Sequence, residues 1–345
     1  MRESIYKIRA DLLSLKRLRG LPLGRKMRYL IGAIVGEVFR TRSFGPLGLR
    51  LVEISLTDRC QCRCIHCYVA QKAEGDFNAE VTTQEVFWLL DDIVKIGGTE
   101  IIFTGGEPLL RHDILDLVSY AHKRGLVVRL ITNGVLLSES LVKSLKKAGL
   151  SWCSISIDSP HAEEHDRFRR YEGCFENAVN GLLLLVKHKI PCSIIAVARK
   201  EIIYNGELED IVKLGMQLGV TVVRINFPVP IGRYKNRDDQ VLNLEERNEV
   251  RKLLRYGMVT MESPKEETKC TAAVTKLSVM INGDVTPCVF VPLPYGNIHQ
   301  HKLSEIWKAM DDYVKEYKIK GQCPMCDPFL RGKLFDAIEQ KNLKF

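Results

Sequence analysis

The stretch LTDRCQCRCIHCYV, residues 56–69, places three thiols, Cys60, Cys64 and Cys67, at the spacing C-x3-C-x2-C. It directly follows LRLVEISL, an apolar run typical of a buried strand. Three sulfurs on one short loop can bind three corners of a cubane iron–sulfur cluster, which leaves the fourth iron open to a ligand. Structural clusters and structural zinc sites normally have four protein ligands, so this incomplete set indicates chemistry.

A zinc knuckle is the competing interpretation of this loop, with Cys62 or His66 as the fourth ligand. The position of the loop after a strand, a Gly-rich turn after the next strand, and a spacing unlike paired C-x2-C units argue against zinc. The chain has eleven cysteines, an odd number, and most of them lie in two tight groups. This arrangement is atypical of the disulfide framework of a secreted protein. We therefore expect a reducing, cytoplasmic compartment.

Length and hydropathy predict a globular chain with no membrane span. The 345 residues suffice for one large and one small domain with a buried core. The longest apolar candidate, YLIGAIVGEVF at 29–39, is shorter than the ~18 residues of a membrane-spanning helix and contains Glu37. We also expect no signal peptide, because the N-terminus lacks the usual order of basic, apolar and small-residue segments.

The net charge of +9 belongs to the N-terminal 50 residues. They hold twelve Lys and Arg against three Asp and Glu, and the remainder is balanced at 39 against 39. We therefore expect no nucleic-acid partner for the body of the protein. Residues 1–50 form a basic amphipathic extension that could pack on the body, contact an anionic membrane surface peripherally, or hold a substrate.

From residue 51 the sequence alternates β-rich and amphipathic helical runs. Strands are predicted at 51–56, 100–104, 127–132, 152–157, 192–198 and 221–227, and helices at 84–97, 112–125, 138–149, 175–189 and 207–219. Strands separated by single helices imply right-handed βα units and a parallel sheet. Six units over residues 51–235 predict an α/β fold, an open, partial (β/α)6 barrel related to the TIM barrel, because a closed barrel needs eight.

A second motif, TGGEPLL at 104–110, ends the second strand. Gly105 and Gly106 allow backbone to approach a ligand closely, and Glu107 offers an acceptor for a ligand ammonium. Pro108 stiffens the turn. Taken alone, the segment is equally consistent with an ordinary strand–helix turn.

Polar residues also end the later strands, where barrel active sites collect them. Thr132 and Asn133 follow the third strand, Ser156 and Asp158 the fourth, and Asn226 lies in the sixth. Their alternative role is turn formation, since Asn-Gly and Asp-Ser-Pro are common in turns.

The segment HDRFRRYEGCF, 165–175, is predicted as the loop after the fourth strand. Arg167, Arg169 and Arg170 could bind an acidic substrate or form a solvated charge cluster, and Cys174 could face the active site.

A third constellation combines Cys270, Cys288, Cys323 and Cys326. Cys270 precedes KLSVMINGDVTPC, in which Asn-Gly predicts a hairpin turn, and the last two thiols form a C-x2-C pair. Four thiols in two groups can surround one metal centre, and zinc and a [4Fe–4S] cluster both fit by composition.

Together these motifs resemble the radical S-adenosylmethionine (SAM) superfamily, whose hallmark is a C-x3-C-x-aromatic-C loop after the first barrel strand. The resemblance implies that Cys60, Cys64 and Cys67 hold a [4Fe–4S] cluster to which SAM binds. It places His66, at the aromatic position, near the SAM adenine. The GGE motif, Gly105 to Glu107, would bind the SAM amino group, and the strand ends would contribute Asn133, Ser156 and Asp158, the latter two toward the ribose.

The C-terminal cysteines resemble the SPASM/twitch branch of that superfamily. A full SPASM pattern continues beyond Cys326, but Gly332 stands at its next cysteine position. The resemblance therefore implies one auxiliary [4Fe–4S] cluster, held by Cys270, Cys288, Cys323 and Cys326. The predicted divisions are the extension at 1–50, the barrel at 51–235, a linker helix at 236–265, the auxiliary domain at 266–331 and a tail at 332–345.

The resemblance implies an enzyme that cleaves SAM reductively to a 5′-deoxyadenosyl radical and abstracts hydrogen from a substrate. Its partners would be SAM, a substrate and an external one-electron reductant such as flavodoxin or ferredoxin. An auxiliary cluster favours oxidation, and the first expectation is a ribosomal peptide substrate. A small metabolite, sugar, lipid or tetrapyrrole is the alternative, and an iron–sulfur electron carrier without catalysis is the alternative of another class. The sequence identifies no catalytic acid, base or hydrogen donor.

Overall fold

Residues 48–69, 80–262, 270–317 and 323–340 are described by a computed structural model. The predicted basic extension lies outside the described residues, apart from its last three positions. Within the described ranges, no helix has the length and apolar character required to cross a bilayer.

Ten strands form one continuous sheet. They are β1 Leu51–Ser55, β2 Glu100–Thr104, β3 Val127–Thr132, β4 Trp152–Ser156, β5 Cys192–Val197, β6 Val222–Asn226, β7 Val259–Glu262, β8 Lys276–Val279, β9 Asp284–Thr286 and β10 Gly296–Asn297. The strand order is β10-β9-β8-β1-β2-β3-β4-β5-β6-β7. The strands from β8 through β1 to β7 pair in parallel, and β9 pairs antiparallel with β8 and β10.

Ten α-helices connect or follow these strands in the described residues. They are α1 Thr83–Lys95, α2 Ile114–Lys123, α3 Glu139–Ala148, α4 Ala162–Arg169, α5 Cys174–Lys187, α6 Glu207–Leu218, α7 Leu244–Arg251, α8 Leu303–Ala309, α9 Asp311–Tyr317 and α10 Pro328–Gln340. The six predicted strands and five predicted helices of the barrel are confirmed, and so is the parallel α/β fold.

The barrel strands present two chemically different faces. On β1, Val52 and Ile54 are fully buried in the main hydrophobic core, with apolar residues of α1 and α2. The alternate residue Glu53 faces the other side, where it pairs with Lys276 of β8 at 3.0 Å. Because strand side chains alternate between faces, the helices cover the apolar side and leave a polar barrel interior.

The structure differs from the prediction at three places. Helix α4, Ala162–Arg169, occupies part of the predicted loop after β4. Strand β7 lies within the segment predicted as a linker helix and extends the sheet beyond the six expected strands. Helix α10 runs across the boundary predicted at residue 331.

The C-terminal cysteine region joins the barrel through its own strand. The predicted hairpin is present as β8 and β9, and Gly283 in its turn has φ +83°. Strand β8 pairs in parallel with β1, with Leu51 opposite Lys276. One sheet therefore carries both cysteine groups.

Candidate active site

A cleft opens at the carboxyl ends of the parallel strands. Its volume is about 1290 Å³, counting the space at its open mouth. Its walls include the last residue of each strand from β2 to β6: Thr104, Thr132, Ser156, Val197 and Asn226. Most of the residues predicted for the SAM site line it: Cys60, Cys64, His66, Cys67, Gly105, Gly106, Asn133, Ser156 and Asp158. The structure thus gathers these separate sequence positions at the face where parallel barrels carry their active sites.

Neighbouring loops hold the cysteine loop through its backbone. The amides of Arg63 and Ile65 donate to the carbonyls of Arg169 and Phe168, each at 3.0 Å. On the other side, the Arg233 guanidinium donates to the Cys64 carbonyl at 2.9 Å. These bonds fix the loop between α4 and the segment after β6.

Two cysteine sulfurs of the loop receive hydrogen bonds. The Arg169 guanidinium donates to Cys64 Sγ at 3.5 Å, and Asn133 Nδ2 donates to Cys60 Sγ at 3.7 Å. A hydrogen bond from the Cys62 thiol lowers the pKa of Cys64 to about 6, and the positive charge of Arg169 contributes to this shift. Since the thiolate is the form that binds iron, this environment fits a cluster ligand.

Cys62 and Cys174 are two further cysteines beside the three predicted ligands, and of these two only Cys62 lines the cleft. Both are buried, and they pack with Cys64 in a small apolar cluster. Hydrogen bonding with Cys174 raises the pKa of Cys62, which keeps Cys62 a neutral thiol. Cys174 therefore packs behind the cysteine loop, which does not support a position facing the active site.

The two glycines of the GGE motif approach protein backbone closely, whereas the sequence suggested an approach to ligand. A Cβ at Gly105, whose φ is +133°, would lie 2.4 Å from the Thr57 carbonyl oxygen. A Cβ at Gly106 would lie 2.4 Å from the carbonyl oxygen of Arg59. The Gly106 amide donates to Thr57 at 2.6 Å. This turn therefore packs directly on the start of the cysteine loop.

Glu107 is fully buried and has protein partners. Its carboxylate accepts hydrogen bonds from Thr132 Oγ1 at 2.7 Å, the Asn133 amide at 2.9 Å and the Leu109 amide at 3.0 Å. Burial raises its pKa to about 7 despite these bonds. Glu107 thus joins the ends of β2 and β3, and its contact with the SAM amino group stays a prediction.

His66 lies in an aromatic site. Its ring stacks on Phe168 with centroids 4.8 Å apart, and it meets Tyr234 in an edge-to-face arrangement with centroids 6.2 Å apart. Burial lowers the pKa of His66 to about 4, so the ring is neutral near pH 7. A neutral, stacked imidazole is compatible with a neighbouring adenine.

Asp158 and Arg169 form a buried ion pair that the sequence did not reveal. Arg169 Nη2 lies 2.5 Å from Asp158 Oδ2, and the Val197 amide donates to Oδ1 at 3.1 Å. Burial alone would raise the pKa of Asp158, but Arg169 lowers it to about 2. Of the three arginines predicted for this segment, Arg167 and Arg170 are exposed. Arg169 instead connects Asp158 to Cys64.

Three of the four C-terminal cysteines lie within electrostatic reach of Tyr313. This tyrosine interacts electrostatically with the thiols of Cys270, Cys323 and Cys288, and Cys323 hydrogen-bonds Cys326. All four are free thiols. In the described ranges, no three His, Cys, Asp or Glu side chains converge on a single-ion site. By number and type of ligand, the three thiols of the cysteine loop match an open [4Fe–4S] cluster and the four C-terminal thiols match a closed one.

The chain matches the radical SAM superfamily over residues 54–215 and the SPASM iron–sulfur cluster-binding domain over residues 270–327. It is 30% identical over 325 residues to the AdoMet-dependent heme synthase of Oleidesulfovibrio alaskensis, covering 84% of this chain and 82% of that protein. It is 31% identical over 314 residues to the AdoMet-dependent heme synthase of Methanosarcina barkeri, covering 81% and 88%. SuiB of Streptococcus suis, bound to its precursor peptide SuiA, matches with a TM-score of 0.63 at 15% identity over 82% of this chain and 69% of SuiB.

The fold and site define an enzyme of radical chemistry, built as a partial barrel with an attached iron–sulfur domain. This chain belongs to the radical SAM superfamily, in the branch that carries a SPASM domain. It binds SAM at a [4Fe–4S] cluster and carries an auxiliary cluster. The assignment of individual ligands stays a prediction.

Replacing Cys60 tests the barrel ligand set. Cys60→Ala should abolish conversion of SAM to 5′-deoxyadenosine by the reduced, anaerobically reconstituted enzyme. Iron should fall from about eight to about four per chain, because each cubane holds about four irons. Cys153→Ala, at a buried cysteine of β4, is the control and should retain both properties. SAM cleavage by Cys60→Ala would refute the ligand assignment. An iron content near four per chain in the wild-type enzyme would contradict the presence of an auxiliary cluster.

Replacing Gly106 tests the contact between the two motifs. Gly106→Ala would place Cβ against the carbonyl oxygens of Arg59 and Asp58, so the cysteine loop must shift. SAM cleavage should fall by about a hundredfold, the order expected for a displacement of ~1 Å. Gly332→Ala, on α10, is the control, because a Cβ there meets no atom within 4 Å and its backbone is helical. Full iron content with unchanged SAM cleavage in Gly106→Ala would contradict this contact.

Proposed function

We propose that this radical SAM enzyme oxidatively modifies an iron tetrapyrrole that carries carboxylate side chains. The observation that carries the proposal is similarity to two AdoMet-dependent heme synthases across both the barrel and the auxiliary domain, covering 82% and 88% of their lengths. The peptide substrate expected from the sequence has weaker support: 26% identity to the PqqA peptide cyclase of Rhizobium meliloti, and a likeness of fold to SuiB at 15% identity. The tetrapyrrole alternative is therefore the better-supported interpretation.

The walls of the cleft suit a flat apolar ligand with charged edges. Apolar side chains form much of the lining: Ile131, Ile195, Val197, Phe227, Val229, Ile231 and Phe290. Arg224 on β6 is a cation in this lining, and Lys276 on β8 is a second one, whose charge is shared with its ion-pair partner Glu53. These strands are separated by β1 to β5 in the sheet, so carboxylates at two edges of one macrocycle could each meet a cation. Charge-assisted bonds of this kind are stronger than neutral ones.

The auxiliary site adjoins the same cleft, which supports an oxidative reaction. Val289 and Phe290, directly after Cys288, line the cleft. On the facing segment, Pro228 also lines it, and its carbonyl oxygen lies 3.8 Å from Cys326 Sγ. An electron leaving a substrate in the cleft would therefore have a short route to the auxiliary cysteines.

When bound, the cluster and SAM supply a 5′-deoxyadenosyl radical, which removes one hydrogen atom from a substrate carbon. The substrate radical must then lose one electron, with loss of a proton or of CO₂ from a carboxylate to balance charge. In this proposal, the stacked His66 would position SAM, and Arg224 and Lys276 would position the carboxylates of the substrate. The apolar walls exclude water, which protects the radical from side reactions.

The remaining partners belong to the same proposal. The electron for SAM cleavage would come from an external donor such as flavodoxin or ferredoxin. Free thiols and iron–sulfur chemistry favour the reducing cytoplasm. Peripheral membrane contact through residues 1–50 would bring the enzyme near an apolar substrate.

The substrate class can be tested with iron coproporphyrin III, which carries several propionate groups. Reduced enzyme with SAM should bind it, shift its Soret band and form a modified porphyrin together with 5′-deoxyadenosine. Release of labelled CO₂ separates decarboxylation from dehydrogenation. No binding or modification of iron porphyrins, with SAM cleavage intact, would overturn the substrate class but leave the enzyme class standing.

Arg224→Met tests recognition of the carboxylates. Loss of a charge-assisted hydrogen bond, ~1.5–3 kcal/mol, should weaken porphyrin binding about ten- to hundredfold. Binding of the porphyrin methyl ester should change little. Arg251→Met, at an arginine that hydrogen-bonds Asn248 on the surface of α7, is the control. Equal loss for acid and ester would show that Arg224 supports the cleft without recognising carboxylates.

A further inference from the structure

Tyr313 of α9 occupies a buried position among the auxiliary cysteines. The residue is fully buried in the main core, against which Cys270, Cys288 and Cys323 also pack. Its ring contacts Tyr295, with centroids 6.3 Å apart, and Tyr317, with centroids 5.5 Å apart. These contacts account for the position of the ring but provide nothing for its hydroxyl group.

The Tyr313 hydroxyl has no hydrogen-bond partner among the described residues. Burying such a group without a partner costs about 1–3 kcal/mol, and buried tyrosine hydroxyls normally have one. Burial, and then the nearby thiols, raise the pKa of Tyr313, so the phenol keeps its proton and remains a donor. What the Tyr313 hydroxyl lacks is a hydrogen-bond acceptor.

We propose that the Tyr313 hydroxyl donates a hydrogen bond to a sulfur of the auxiliary cluster and thereby raises its reduction potential. Three of the cysteines that would hold the cluster, Cys270, Cys323 and Cys288, are near enough to act electrostatically on the phenol, so a cluster sulfur is the acceptor that the site otherwise lacks. A hydrogen bond to sulfur stabilises the reduced, more negative cluster more than the oxidised one, and such bonds tune cluster potentials. This role is independent of the substrate class.

The arrangement suits an electron acceptor beside the cleft. An acceptor takes an electron from a substrate radical more readily when its potential is higher. Tyr313 is thus a tuning residue that acts through the cluster, and it is not among the residues that line the cleft.

The test is a redox titration of the holoenzyme followed by electron paramagnetic resonance. Adding SAM perturbs the signal of the barrel cluster and so distinguishes it from the auxiliary one. Tyr313→Phe should keep its iron and lower the auxiliary potential. At a fixed potential the reduced-to-oxidised ratio should fall about tenfold, which is about 59 mV for one electron. The potential of the barrel cluster should not change.

Tyr317→Phe is the matched control, since it removes a hydroxyl from the same helix and aromatic group. An unchanged auxiliary potential in Tyr313→Phe, or an equal shift in Tyr317→Phe, would overturn the proposal. If Tyr313→Phe fails to hold its cluster, wild-type enzyme reconstituted in D₂O decides the question. Electron–nuclear double resonance should then detect a strongly coupled deuteron at the auxiliary cluster, and its absence would equally overturn the proposal.

Discussion

Strand β1 is the element on which the rest of the structure depends, because it is paired in parallel on both sides. One neighbour, β2, ends in the GGE turn, and the other, β8, opens the C-terminal cysteine region. The cysteine loop leaves the end of β1 itself. A single strand therefore aligns the cysteine loop, the GGE turn that packs on it, and the strand that begins the C-terminal hairpin.

The contact between the GGE turn and the cysteine loop is steric. At Gly105 and Gly106 the backbones approach so closely that a side chain would overlap carbonyl oxygens of Thr57 and Arg59. The other side of the loop is held electrostatically, by Arg169 between Asp158 and Cys64. Removing one partner of a buried ion pair costs about 3–5 kcal/mol, because the other charge is left uncompensated. The loop is thus fixed from both sides.

The sequence predicted the barrel well because its strands and helices have strong, opposite periodicities and clear glycine stops. The prediction was wrong for segments whose local residue pattern does not indicate the structure that tertiary contacts give them. Helix α4, with the sequence AEEHDRFR, has no apolar stripe, so it was predicted as a loop. Strand β7 is only four residues long, and its pairing with β6 is decided by the sheet edge.

Among the site residues, the cysteine loop and the GGE motif could be identified from the sequence, because each lies within a few consecutive residues. The burial of Arg169 and the hydrogen bonds of Glu107 could not, since each joins segments far apart in the chain. Tyr313 carried no signal, because one tyrosine in an amphipathic stretch is indistinguishable from ordinary core. Its partnerless hydroxyl exists only in three dimensions.

The pairing of β1 with β8 also constrains the order of folding. Leu51 meets Lys276, which leaves the ribosome long after it. Until then one edge of β1 exposes unpaired backbone N–H and C=O groups. An unpaired strand edge of this kind is prone to misassociation. Closing so long a loop is entropically costly and slow. The nascent chain therefore completes this side of the sheet, together with the start of the auxiliary domain, only after β8 has been synthesised.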